Sequence, residues 1–234
     1  FNYKFNKYSK CLLNGIQGHR FKKCRRLCVC NECFCNSYKN TVINYHQNKN
    51  NIILIGNGCN LLKYNYGEAI DAFDNVVRFN RFTLENFTKY VGNKTTTIFT
   101  NDTIIRKDTK KSFNRYNEFN GISNIIVYNV KSSDFNTNYK SFYNIKHQLW
   151  SSLQKKVNYS KKQFFSTGFA AIAFYLFVLD IQTITIANFD FQTIPSEIEY
   201  FNKTVKPTHN NHNFAQEQRL VKKLVNEGRI VILD

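Results

Sequence analysis

Methionine is absent from this 234-residue chain, acids number 16 against 33 Lys and Arg, and no apolar run reaches membrane length. The most apolar stretch, Phe169–Leu179, has the length of a buried helix and falls short of the roughly 18–20 residues of a span. Only two Pro and nine Gly are present, so no Pro- or Gly-rich linker divides the chain, and no internal repeat is apparent. The length suits one large α/β domain with a short extra segment and is too short for two full enzyme domains. A formal charge of +17 and a pI near 9.6 ask for an acidic partner: nucleic acid, a membrane surface or anionic small molecules. The competing account is compositional, because the crowded Asn, Lys, Ile, Phe and Tyr are the residues that A/T-rich codons favour. The chain opens on Phe, the pattern of a fragment or processed product, and membrane association through a missing N-terminal anchor is kept as an expectation. Localisation is not readable.

Of the seven cysteines, six (Cys11, Cys24, Cys28, Cys30, Cys33 and Cys35) precede residue 36, and Cys59 alone lies in the main body. The run Cys28-x-Cys30-x-x-Cys33-x-Cys35 offers disulfides, a thiolate metal site or reduced thiols, and its spacing matches no specific zinc pattern. Sequons at Asn86, Asn93, Asn101, Asn158 and Asn202 permit a secretory history but prove little in so Asn-rich a chain.

Residues 1–50 read as a basic, Cys-rich extension or stem, and 51–234 as one catalytic-sized domain. From residue 51 short apolar runs alternate with helical stretches. Ile52–Ile55 reads as a strand buried on both faces, with further strands at Val76–Phe79, Thr96–Phe99, Ile125–Val130, Thr183–Ala187 and Ile230–Leu233. Residues 140–157 read as helical, Phe169–Asp180 as a core helix, and 212–227 as an amphipathic helix with Leu220 and Leu224 on one face. Strands separated by helices imply a mainly parallel sheet, with ligands expected after the strands at Gly56, Asn80 and Asn101.

Three constellations carry chemistry. Gly56-Asn57-Gly58 follows a strand and suits a nucleotide, though a plain β-turn is the ordinary alternative. As a dinucleotide fingerprint it fails: Leu61 holds the third glycine position, and Arg78-Phe79-Asn80 stands where a ribose-binding acid belongs. That opposes an oxidoreductase. Ser166-Thr167-Gly168 before an apolar helix is a second anion site or an ordinary N-cap. His209 and His212, with Glu217 beyond, supply side chains that titrate near neutrality and can accept a proton from a hydroxyl. Two His three apart can also ligate metal, but suitable partners are missing nearby and no metal site is expected.

In order along the chain, these pieces resemble the sialyltransferases of glycosyltransferase family 29. Ile52–Asn101 looks like the family's large motif, with Tyr66-Gly67-x-x-Ile70-Asp71, Asp74-x-Val76-x-Arg78-x-Asn80 and Val91-Gly92-x-Lys94-Thr95-Thr96 in register. Ser166-Thr167-Gly168-Phe169-Ala170-Ala171 resembles the small motif, and His212-x-x-x-x-Glu217 the very small motif. His209 is similar to the histidine of the third motif, with Asn210 where an aromatic residue usually stands.

The resemblance implies a single Rossmann-like α/β domain of the variant GT-A type. It implies an inverting transfer of sialic acid from CMP-sialic acid to a glycan hydroxyl, with no cofactor and no divalent metal, in keeping with the absence of Asp-x-Asp. By position, Asn57, Asn80 and Asn101 would hold the phosphate, ribose and cytidine. Ser166, Thr167 and Gly168 would meet the nucleotide and carboxylate end, and His209 would belong to the donor site. His212 would be the general base, with Glu217 supporting the local structure or the donor site. CMP-linked Kdo presents similar groups and is the alternative donor. Animal members commonly join the large and small motifs by a disulfide, but this small motif contains no Cys, which removes that bridge. A nucleic-acid-binding module would cluster its basic residues, whereas here they are dispersed apart from Lys22–Arg26 and Lys110-Lys111, so no nucleic acid is expected. A non-catalytic glycan-binding relative is opposed by intact Asn57, Asn80, Ser166 and His212.

Overall fold

The computed structural model describes residues 51–101, 122, 124–130, 142–160, 163–190, 199–201 and 211–233, all within one compact unit, Lys49–Asp234. The Cys-rich start, His209, Asn202 and most of the loops 102–123 and 190–208 lie outside the described residues.

The central strands sit where an apolar or β-branched run lets both faces be covered. The strands are β1 (Ile52–Ile55), β2 (Asn75–Phe79), β3 (Thr97–Asn101), β4 (Asn124–Val130), β5 (Phe142–Lys146), β6 (Ile184–Ala187) and β7 (Ile230–Ile232). Every residue of β1 and β2 is buried, as expected of strands sandwiched between helical layers. Among the described residues the sheet has seven strands in the order β5-β4-β3-β2-β1-β6-β7, and every pairing is parallel. The chain therefore winds outward from β1 to β5, then returns to β1's other side. The switch point lies between β1 and β6, and ligands of such sheets bind outside the strand ends there.

The connecting helices are α1 (Gly67–Asp71), α2 (Thr88–Val91), α3 (His147–Lys156), α4 (Thr167–Ala173) and α5 (Phe214–Asn226). Two expectations need correction. The stretch read as helix over 140–157 is divided: Phe142–Lys146 pairs with β4 as an edge strand, and only His147–Lys156 is helical. Its aromatic and β-branched residues suit a strand, and a neighbour to pair with decides the matter. In α5 the buried face carries Glu217, Val221 and Leu224, with Leu220 only half-buried. The i, i+4, i+7 spacing from Glu217 sets this face. The core helix also changes pitch, since Phe174–Val178 follows α4 as a π turn and Leu179 N donates to Phe174 O at 3.0 Å.

Beneath β2, one side chain ties the fold together. Arg78 is 1% exposed, and its guanidinium donates to Val91 O (2.6 Å), Lys94 O (3.0 Å) and Thr95 Oγ1 (2.9 Å). Burial lowers its pKa to about 10, so it stays cationic at neutral pH. Asp71 clamps the same loop, accepting from Asn93 N at 2.9 Å and Lys94 N at 2.8 Å. Gly92 turns there with φ of 73°, and a Cβ on it would strike Asp71.

Candidate active site

The turn after β1 is braced from both sides of the switch point. Gly56 N donates to Ala187 O at 2.8 Å, continuing the pairing with β6. Asn188 follows β6 in the left-handed region (φ 62°), and its amide donates to the carbonyls of Gly56 and Gly58. Asn57 reaches the other way: its Nδ2 donates to Arg81 O at 3.0 Å, while its carbonyl accepts from Tyr200 N at 2.8 Å.

Asn80 joins three elements. It too is left-handed (φ 49°), which an Asn tolerates better than most side chains. Its backbone N donates to Phe99 O at 3.1 Å, and its Oδ1 accepts from Thr100 Oγ1 at 3.2 Å. Its Nδ2 donates to Thr167 Oγ1 at 3.1 Å, which carries the link from the end of β2 to the head of α4.

At that head, Ser166 is the N-cap, its Oγ accepting from Phe169 N at 3.2 Å. The same hydroxyl donates to Glu217 Oε2 at 2.6 Å, and Ser166 N donates to Glu217 Oε1 at 2.7 Å. Tyr159 completes the set, its hydroxyl 2.9 Å from Glu217 Oε1. Glu217 has no exposed surface. Burial raises its pKa, while the hydrogen bonds from Ser166 and Tyr159 and the charge of nearby His212 pull the other way. Tyr159 titrates well above its ordinary range, because it is buried and faces Glu217, and so keeps its proton.

His212 stands one residue before the N-cap of α5, Asn213. Its Nδ1 lies 2.9 Å from Phe164 O. A carbonyl only accepts, so Nδ1 carries the hydrogen, and in the neutral ring Nε2 is the basic nitrogen. Phe164 is itself pinned, its N donating to Asn211 O at 2.8 Å. The result is an imidazole of fixed tautomer beside a helix start.

The sequence-predicted residues therefore gather at one end of the sheet. Asn57, Asn80 and Asn101 end or follow β1, β2 and β3. Asn80 touches Thr167, and Ser166 touches Glu217. The Phe164 carbonyl, two residues ahead of Ser166, carries His212. His209 lies outside the described residues. Among those residues, no group of three or more His, Cys, Asp or Glu is placed to hold a metal ion.

Sequence reasoning missed three participants. Asn188 locks the β1 turn, Phe189 packs on Gly168 so that a Cβ there would come within 2.7 Å of its ring, and Tyr159 bridges to α5. None has a local signal, because each acts through partners far along the chain.

Comparison with known proteins bears on the fold and the family. A sequence search of curated proteins returned no match. A mammalian sialyltransferase crystallised with Gal-beta-1-3GalNAc-ortho-nitrophenol superposes with a TM-score of 0.54 at 18% identity, covering 78% of this chain and 68% of that one. A second structure of a mammalian sialyltransferase gives 0.52 at 20% identity, covering 78% of this chain and 68% of that one. A variant of the sialyltransferase CST-II in complex with CMP gives 0.53 at 16% identity, covering 79% and 80%. At these identities the likeness shows a shared fold. The family model described as glycosyltransferase family 29 (sialyltransferase) matches residues 43–167, more than half of the chain. The chain thus belongs to glycosyltransferase family 29, the sialyltransferases.

Proposed function

We propose that this sialyltransferase moves sialic acid from CMP-sialic acid to a glycan hydroxyl with inversion, His212 acting as general base and no metal ion taking part. The observation that carries the reading is the Nδ1 contact of His212 with Phe164 O, which makes Nε2 the nitrogen that accepts a proton. The donor is anionic at its phosphodiester and at its carboxylate. A basic protein with asparagines at three strand ends and a serine-capped helix suits it. Asn57, Asn80, Asn101, Ser166, Thr167 and Gly168 would hold the CMP portion. Proton removal by His212 would let the acceptor oxygen attack the anomeric carbon while CMP departs with the bonding pair. CMP is a good leaving group once its phosphate is held, which is why the reading includes no metal. The CMP seen in one structural neighbour and the disaccharide derivative in another belong to those proteins and agree with this assignment of donor and acceptor classes.

The test is turnover of CMP-sialic acid on a galactose-terminated acceptor, with EDTA present, for the parent and for His212→Ala. The variant is expected to bind CMP almost normally and to lose about 10²-fold or more in kcat. Normal turnover by the variant would remove His212 from the base role. Loss of all activity in EDTA, restored by a divalent ion, would overturn metal independence.

A further inference from the structure

Tyr159 lies in none of the motifs, yet its hydroxyl stands where the segment carrying His212 meets the cap of α4. The oxygen accepts from Asn213 N at 2.9 Å, and Asn213 directly follows His212. Its single proton has two candidate acceptors, Glu217 Oε1 at 2.9 Å and Phe164 O at 3.2 Å. The carboxylate is the nearer and the stronger acceptor, and the Phe164 carbonyl already receives His212 Nδ1. Through Glu217 the hydroxyl reaches both the N–H and the Oγ of Ser166. The ring is 4% exposed and packed edge-on against Phe165, with centroids 4.7 Å apart, so its oxygen is held on a rigid support.

We propose that Tyr159 is a positioning residue for sialyl transfer, its hydroxyl fixing His212 through Asn213 and Ser166 through Glu217, so that base and helix cap keep one mutual geometry. The proposal rests on His212 being the base. A 1 Å error in the placement of a reacting group is worth up to about 10²-fold in rate, so a single fixed hydroxyl at this junction has leverage on the chemical step. A merely structural tyrosine would also be buried and hydrogen-bonded. What separates the two is whether its effect passes through His212.

Tyr159→Phe removes the oxygen and keeps the ring, and a double-mutant cycle with His212→Ala then reads the coupling. The expected result is a fall of about 10-fold in kcat for Tyr159→Phe, CMP affinity held within about twofold, and little further loss when it is added to His212→Ala. The same fold-loss in both backgrounds, or an unchanged kcat, would overturn the proposal. Normal turnover by His212→Ala alone would instead refute the base assignment on which it stands. Thermal melting and CMP titration check that each variant is folded. Should Tyr159→Phe not fold, Glu217→Gln, which weakens the same junction from its other side, is taken through the same cycle with the same two outcomes.

Discussion

Among the described Asp, Glu, Lys and Arg residues two have fully buried side chains, Arg78 in β2 and Glu217 in α5, and the fold uses them differently. Arg78 meets backbone carbonyls and one hydroxyl at the end of α2 and in the loop that leads on to β3. It keeps its charge at neutral pH and binds a segment 13–17 positions away. Glu217 meets one N–H and two hydroxyls from residues 51 and 58 positions away, beside His212. Burial pushes it toward the neutral form. The arginine braces a loop, whereas the glutamate joins two remote halves of the site. A buried charged residue therefore points to the candidate site here only where it links segments that carry the proposed chemistry.

The largest expected effect breaks the first half of that comparison. Arg78→Met fills similar space but leaves the carbonyls of Val91 and Lys94 without their donor, and is expected to remove about 3–5 kcal/mol of stability. That is a large share of an ordinary domain's stability. Denaturant unfolding measures it, and a loss under about 1 kcal/mol would mean that the loop does not depend on the guanidinium.

This split between brace and site was only partly legible in the sequence. The parallel α/β fold, the strand ends and the large and small motifs could be read because runs such as Ile52–Ile55 and caps such as Ser166 are local signals. Arg78 and Asn80 sit two positions apart in one motif, yet one lies in the core and the other faces the candidate site. Only long-range contacts distinguish them, such as Asn80 to Thr167, 87 positions on. Tyr159 and Asn188 were invisible for the same reason. The strand Phe142–Lys146 was hidden because its pairing with β4, a long-range contact, decided its form.

Glu217→Gln is the middle-sized probe. It keeps the shape but sets an amide NH2 among the donors from Ser166 and Tyr159, and about 1–2 kcal/mol of stability is expected to be lost. The pH dependence has a definite sign. Because the folded pKa is raised, the stabilising contribution is fully present below the unfolded value, near 4.5, and is lost as pH rises through the folded value. The parent's advantage over Glu217→Gln in thermal midpoint should therefore be greatest in acid and narrow on the way to neutrality. An advantage that widens as pH rises would show that the Ser166 and Tyr159 donors outweigh burial.

The smallest effect sharpens the arginine side. Thr95→Val keeps volume and removes the hydroxyl that accepts from Arg78 Nε at 2.9 Å, while Lys94 O remains an acceptor at 3.3 Å. About 1 kcal/mol is expected in denaturant unfolding, with kcat unchanged. A fall in kcat at full folding would place this loop in the site rather than beneath it.

The central claim, a CMP-sugar site built from the ends of β1, β2 and β3 and the head of α4, is tested most directly by calorimetric titration of the whole chain. CMP, UDP, GDP and NAD are compared in the presence of EDTA. The account predicts selective binding of CMP that survives chelation. Equal binding of the four, or a preference for NAD, would contradict it.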